Sequence, residues 1–306
     1  MALLQPHSAA ARGFTDAEVA RLRGHPAFAQ ALRHACLSGI RYYNGNRLIN
    51  LLLGDRGRSA MSLLTLYLHQ ERRPDDPRSG LTLARLKALC ADQDIGSPGR
   101  IEAFTILMRV LGFLRQDRDA QDRRVRRLTP TDRLYAAHRE RWLGMMEAMA
   151  FVMPEAQTCR KALADAAFER AFIRRAGEHF LGGFRPMSDP VARELFGNRN
   201  AGLTIAFSLL TAGADDAMPP RQPVTLSLSK LSRQFGVSRV HVRKLLRDAA
   251  QAGYIARPEG DNAAIVILPK LADAIGNFFA NAFLVTRDCA LKAQADVAGA
   301  TVARSA

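Results

Sequence analysis

The chain has 306 residues, enough for two cores, and its 44 Lys and Arg against 29 Asp and Glu leave a net charge of +15. With 48% hydrophobic residues it is a globular sequence rather than a solvated polyelectrolyte, and the positive excess calls for an acidic partner, nucleic acid ahead of an anionic lipid surface. The most apolar stretches, 203–214 and 275–285, fall short of the about 20 residues that cross a bilayer, and the start lacks a basic then apolar leader, so a cytoplasmic protein away from membranes is expected.

Helical periodicity runs through most of the chain, and strand-type alternation occurs only after Gly112 and after Gly253. Residues 1–12 read as a flexible start. In the first half, residues 83–94 have the pattern of a helix, Gly96 stands near a turn, Ser97 suits an N-cap, and Pro98 takes the first helical position, where its missing N–H costs nothing. Ile101, Met108 and Leu111 point inward on this second helix. Its outward positions are poor in positive charge, with Arg100 beside Pro98, Glu102 and Ala103. A wing follows over about 114–130, where RQDRDAQDRRVRR supplies Arg123, Arg124, Arg126 and Arg127, placed either along phosphates and a narrow minor groove or in a solvated loop. Residues 132–152 then form an apolar helix in which Trp142, Met145, Met146 and Met149 make a packing stripe, expected at an interface between halves.

The second half holds the sharper pattern. Leu228, Leu231 and Phe235 share a face of a short helix, Gly236 sits where a turn needs positive φ, Val237 plugs the turn, and Ser238 caps the next helix. Inward spacing of Val242, Leu246 and Ala249 leaves Arg239, Val240, His241, Arg243, Lys244 and Arg247 outside. Such a helix suits the major groove, with Arg239, Val240 and His241 on base edges and Arg243, Lys244 and Arg247 on phosphates. The caps Ser97 and Ser238, and Arg257 in the wing, belong with this DNA-facing set. Residues 254–257 and 263–268 read as two strands around a hairpin tip, giving a wing over about 253–269. An apolar helix over 271–284 and a flexible tail over 291–306 complete the chain.

The two halves match one another at a shift of roughly 140 residues. Leu53-Gly54-Asp55-Arg56 answers Phe196-Gly197-Asn198-Arg199, Ala27-Phe28 answers Ala167-Phe168, and Gly39-Ile40-Arg41 answers Gly183-Phe184-Arg185. Further on, Leu86, Leu89 and Ile95 fall on Leu228, Leu231 and Val237, and Ser97, Ile101, Gly112 and Phe113 fall on Ser238, Val242, Gly253 and Tyr254. The expected fold is therefore mainly α with small β wings, as two tandem winged helix-turn-helix units, 1–152 and 153–306, joined by dimerisation-type helices. The helix-turn-helix portions span about 81–114 and about 225–252.

The stretch Asp122-Arg123-Arg124-Val125-Arg126-Arg127-Leu128-Thr129-Pro130-Thr131-Asp132 resembles the wing pattern of the MarR family of bacterial regulators, D-x-R followed by L-T-x-x-G, with Asp132 in place of the final Gly. The second half lacks that signature, with Asp261-Asn262-Ala263 and Leu268-Pro269 instead. The resemblance implies a chain that fuses two family-like subunits into a pseudo-dimer, with Arg124 as the wing arginine that reaches the minor groove. A small-molecule effector of unknown identity is a further implied partner.

The expected function is sequence-specific binding of double-stranded DNA as a transcription regulator, by a monomeric pseudo-dimer or a homodimer. A plasmid or phage replication initiator with two winged helices is the alternative. Phosphate-loop, dinucleotide, zinc-hydrolase and G-x-S-x-G patterns are all missing, so neither an enzyme nor a cofactor is expected. Cys36, Cys90, Cys159 and Cys289 stand far apart, which argues against a metal site or a disulfide framework. Cys36, near Arg33 and His34, is either a low-pKa thiol sensor or a packed helix thiol. Tyr42 and Tyr43 either line a cleft between the halves or are simply buried.

Overall fold

The computed structural model describes residues 13–73, 75–76, 79–118, 126–258 and 264–305, and these form fourteen α-helices and five short strands. In chain order the first half contains α1 (Asp16–Arg23), α2 (Phe28–Tyr43), α3 (Arg47–Leu53), α4 (Arg56–Gln70), α5 (Leu83–Asp92), α6 (Pro98–Val110), β1 (Leu114–Arg118), β2 (Arg126–Pro130) and α7 (Asp132–Met149). After α8 (Ala156–Ala162) the second half contains α9 (Ala166–Leu181), α10 (Pro190–Ala192), a π-turn at Arg193–Gly197, α11 (Gly202–Leu210), β3 (Val224–Thr225), α12 (Leu228–Phe235), α13 (Arg239–Gln251), β4 (Ile255–Ala256), β5 (Ala264–Ile267) and α14 (Pro269–Ser305). The fold is mainly helical with small antiparallel sheets, as the periodicity predicts.

Apolar faces explain how the long helices assemble. α2 lies on α7 and α9 lies on α14, each within its own half. The halves then exchange contacts, because α2 also packs on α11 and α9 packs on α4. Both crossings close on a glycine. Gly39 of α2 meets the Phe207 ring, where a Cβ would stand 3.0 Å from Cε2, and a Cβ on Gly177 of α9 would overlap the Tyr67 ring. Each glycine is the twelfth residue of a 16-residue helix. Trp142 of α7 adds an edge contact to Phe172 of α9 at 5.0 Å, which puts the Trp and Met stripe at the junction of the halves. The length prior suggests two separate cores, yet the buried residues of both halves form one continuous cluster.

One order of elements occurs twice outside this body: helix, turn, helix, hairpin. α6 and α13 are both 13 residues long. Ser97 caps the first by accepting the Arg100 N–H at 3.3 Å, and Ser238 caps the second by accepting the His241 N–H at 3.0 Å. Each helix is followed by a glycine at φ 74°, Gly112 and Gly253, and then by a buried ring, Phe113 or Tyr254. The Arg133 guanidinium covers the first ring at 4.8 Å and donates to the Leu111 carbonyl. The Lys270 ammonium covers the second at 4.5 Å and donates to the Ala252 carbonyl.

The sheets differ. β1 and β2 pair from Leu114↔Pro130 to Arg118↔Arg126, and a bridge from Thr82 to Arg127 adds the rudiment of a third strand. In the second half β3, β5 and β4 form a three-stranded antiparallel sheet in that order. Strand β3 has two residues, too few to produce an alternation signal.

Two expectations change. Residues read as a flexible tail continue α14 to Ser305, because Ala290 and Ala293 are buried and Asp296 takes a two-pronged ion pair from Arg175. Near Gly96, the positive φ of the first turn belongs to Asp94, at φ 49°, and Asp tolerates the left-handed region better than most residues. Gly39 lies inside α2 whereas Gly183 follows the end of α9, so the match between residues 39–41 and 183–185 is not a structural equivalence.

Candidate nucleic-acid interface

On α12, Leu231 and Phe235 are buried and Gly236 ends the helix at φ 67°, so the chain turns sharply into the Ser238 cap. Val242, Leu245, Leu246 and Ala249 anchor α13 with no exposed surface. That anchoring leaves Arg239, Val240, Arg243 and Lys244 in solvent on the opposite face, and Val240 is 70% exposed. Among the described residues, Arg239, Arg243 and Lys244 have no carboxylate within ion-pair distance. A largely exposed valine flanked by cations without ion-pair partners gains little from folding, so this face is available to a partner.

Two members of the outward set are already engaged. The His241 ring donates through Nε2 at 2.8 Å to the Asn200 carbonyl and is only half-exposed, so it braces the helix start against the 196–201 loop. Arg247 is exposed but paired with Asp248, which also takes Arg199 at 2.7 Å. Hydrogen bonds from Arg199 and Arg247 hold the Asp248 carboxyl below its ordinary range, so part of the Arg247 charge is spent within the helix. Arg257 is exposed just after β4.

The first half builds the same frame and a different surface. Ile101, Phe104, Thr105 and Met108 fix α6 in the core, and its outward face presents Glu102, Ala103, Ile106, Arg109 and Val110. Glu102 is tied to Lys87, while Ile106 is 50% and Val110 77% exposed. Arg100 stands where His241 does in α13 and likewise leans back, with Nη2 at 3.5 Å from Asp55 Oδ1. In the hairpin Arg126 is exposed. Arg127 is not: it is 8% exposed and donates to the Ser79 carbonyl at 2.8 Å, so it joins the hairpin to the 79–82 segment rather than reaching outward. Arg123 and Arg124 lie outside the described residues.

The remaining candidates resolve as packing. Cys36, Cys90, Cys159 and Cys289 are all buried free thiols. Burial pushes the Cys36 thiol far above its ordinary pKa and Arg33 offsets little of this, which removes it as a low-pKa sensor. Tyr42 and Tyr43 do both things expected of them, since they bond to the Ala137 and Leu53 carbonyls and line a cavity between the halves. Arg56, Arg185 and Arg193 line the same cavity, and because they come from separate segments no local sequence pattern marks them as neighbours. Among the described residues no helix is long and apolar enough to cross a membrane, and no three His, Cys, Asp or Glu side chains gather to hold a metal ion.

Comparison with protein-family models, with curated proteins and with solved structures finds no match to this chain.

Proposed function

We propose that this chain is a sequence-specific double-stranded DNA-binding regulator of transcription, a built-in pseudo-dimer of two winged helix-turn-helix units that arose by duplication. The observation that carries the reading is the outward face of α13, where Arg239, Arg243 and Lys244 flank the exposed Val240 on a helix that starts at a sharp turn. A duplex accepts such a helix in its major groove, where an arginine near the helix start bonds guanine, an apolar side chain meets a thymine methyl, and later cations lie on phosphates. Three-stranded pairing beside α13 supports calling its β4–β5 hairpin a wing. Duplication is supported by the paired serine caps, the paired cation-covered rings and the reciprocal glycine contacts.

The first unit plays a different part in this proposal. An α6 face whose exposed Ile106 and Val110 are apolar and whose Arg100 leans toward Asp55 makes few contacts with phosphate, so the unit's main contribution comes from the hairpin, through Arg126. One unit reads and the other grips. Fluorescence anisotropy with labelled duplexes across a salt series tests this. Phosphate contacts lower log K by about 0.9 per contact for each unit of log salt, so random duplex should bind with a steep salt slope and a selected site should persist near physiological salt. Absence of duplex binding at low salt would overturn the proposal.

A further inference from the structure

The helices α2 and α9 end alike. Each has 16 residues, a glycine at positive φ stands two places beyond its end, Gly45 at 67° and Gly183 at 92°, and an arginine follows two places later, Arg47 and Arg185. Each corner reaches across the junction of the halves to the helix that precedes the turn of the other unit. The Gly45 N–H donates at 2.9 Å to the Gln234 carbonyl, which lies in the last turn of α12 and so has no partner inside that helix. Arg185 donates at 3.1 Å to Oε1 of Gln93, the residue that ends α5.

The two arginines do different work. Arg185 is half-buried, also bonds the Phe180 and Phe184 carbonyls, and lies 3.8 Å over the Phe180 ring, so it is an internal brace. In the first half a backbone N–H makes the equivalent link, which leaves Arg47 exposed; among the described residues it has no ion-pair partner and no side-chain hydrogen bond. The corner that carries it is nonetheless fixed. Asn50, 6% exposed, donates from Nδ2 to the Tyr43 and Asn46 carbonyls at 2.7 and 2.9 Å, and the Asn46 side chain accepts the Ile49 N–H. Both segments that meet here lack carboxylates: residues 28–54 contain no Asp or Glu, and neither do residues 217–247, which carry seven Lys and Arg. Arg233, beside Gln234, is exposed on the α12 side of the contact, and Gly236 and Ser238 lead from there into α13. An arginine at this place in the fold comes within reach of the turn, as Arg185 shows by touching Gln93.

We propose that Arg47, contributed by the first half, contacts the phosphate backbone beside the groove that α13 enters, so that the reading head of the second unit is completed across the junction of the halves. This rests on the DNA-binding reading above and adds to it a residue from outside the helix-turn-helix. A helix that enters the major groove is flanked by phosphates near its start, and an exposed cation held rigidly beside that start meets them without first being ordered. The contact positions α13 and reads no sequence, because phosphates are alike at every base pair. It gives the first half a second grip on the duplex besides Arg126, on the side of the unit that reads.

Anisotropy across a salt series, on a selected duplex and on random duplex, compares the full chain with Arg47→Gln, Arg47→Lys and Lys161→Gln. The last removes an exposed cation of α8 that has no ion-pair partner among the described residues. Arg47→Gln should lose about fivefold on both duplexes and lower the salt slope by about 0.9, the share of one phosphate. Arg47→Lys should keep the slope, and Lys161→Gln should change affinity by less than about twofold. A neutral methylphosphonate walked through the flanks of the selected site should reveal a position that weakens the unaltered chain by about fivefold and leaves Arg47→Gln unaffected. A slope unchanged by Arg47→Gln, or a loss no larger than that of Lys161→Gln, would overturn the contact and leave the DNA-binding reading in place. A loss confined to the selected duplex would also overturn it, by making Arg47 a base contact. A chain that binds no duplex at low salt would overturn the DNA-binding reading and this contact together.

Discussion

α6 and α13 are the same length, start at the same kind of serine cap and end at glycines with the same φ, yet one exposes Glu102, Ile106 and Val110 and the other Arg239, Arg243 and Lys244. The difference teaches where selection acts on a repeated unit. Residues that face the core must keep their volume, because a lost methyl group or an added one costs about 1 kcal/mol or more. Outward residues touch only solvent or a partner, so on the proposed duplication they are free to differ between the two units. The hairpins diverge too, the first being longer by four residues, as the spacing from Phe113 to Thr131 and from Tyr254 to Leu268 shows for equivalent backbone hydrogen bonds.

Breaking that comparison should give its largest effect in binding. Replacing Arg239, Arg243 and Lys244 together by Ala should weaken duplex affinity by about a hundredfold or more, while replacing Glu102, Ile106 and Arg109 on α6 should change it by less than about threefold. Anisotropy at one salt concentration decides it, and equal losses would make α6 a second reader.

The reciprocal glycines give the next effect. An alanine gains about 1 kcal/mol of helix propensity over glycine. At Gly39 that gain roughly offsets a 3.0 Å approach to a ring edge that can shift, so Gly39→Ala should be near neutral. At Gly177 the added methyl overlaps the Tyr67 ring, and overpacking of this kind costs about 1–3 kcal/mol. Chemical denaturation should rank Gly177→Ala well below Gly39→Ala, and Gly177→Ala with Tyr67→Leu should recover part of the loss.

The smallest contrast lies within one hairpin. Arg127→Ala removes a buried donor from the Ser79 carbonyl and should cost about 1–2 kcal/mol of stability without altering the salt slope of DNA binding. Arg126→Ala should leave stability within about 0.5 kcal/mol and reduce the slope by about one contact. An exchange of these two outcomes would reverse their assigned roles.

Local patterns made much of this legible. Serine caps, Gly236 and the inward spacing of Val242, Leu246 and Ala249 are each set by residues within a turn of one another, and the helices built on them lie where the sequence places them. What escaped depends on residues far away in the chain. His241 faces outward by helical spacing alone, and only the approach of Asn200 turns its ring inward. Arg127 alternates correctly in β2, but the 79–82 segment covers its face. The end of α14 has no apolar stripe of its own and is ordered by α9, through Arg175. Arg56, Arg185 and Arg193 lie in different segments, so only the fold brings them to one cavity.

In the proposed function the two units do unequal work on DNA. Selection of bound sites from a random duplex pool, read out by sequencing, tests it most directly. One well-defined block about half a helical turn long, beside a flank specified weakly or only by A·T content, is the predicted result. A palindrome with two equally sharp half-sites would contradict it.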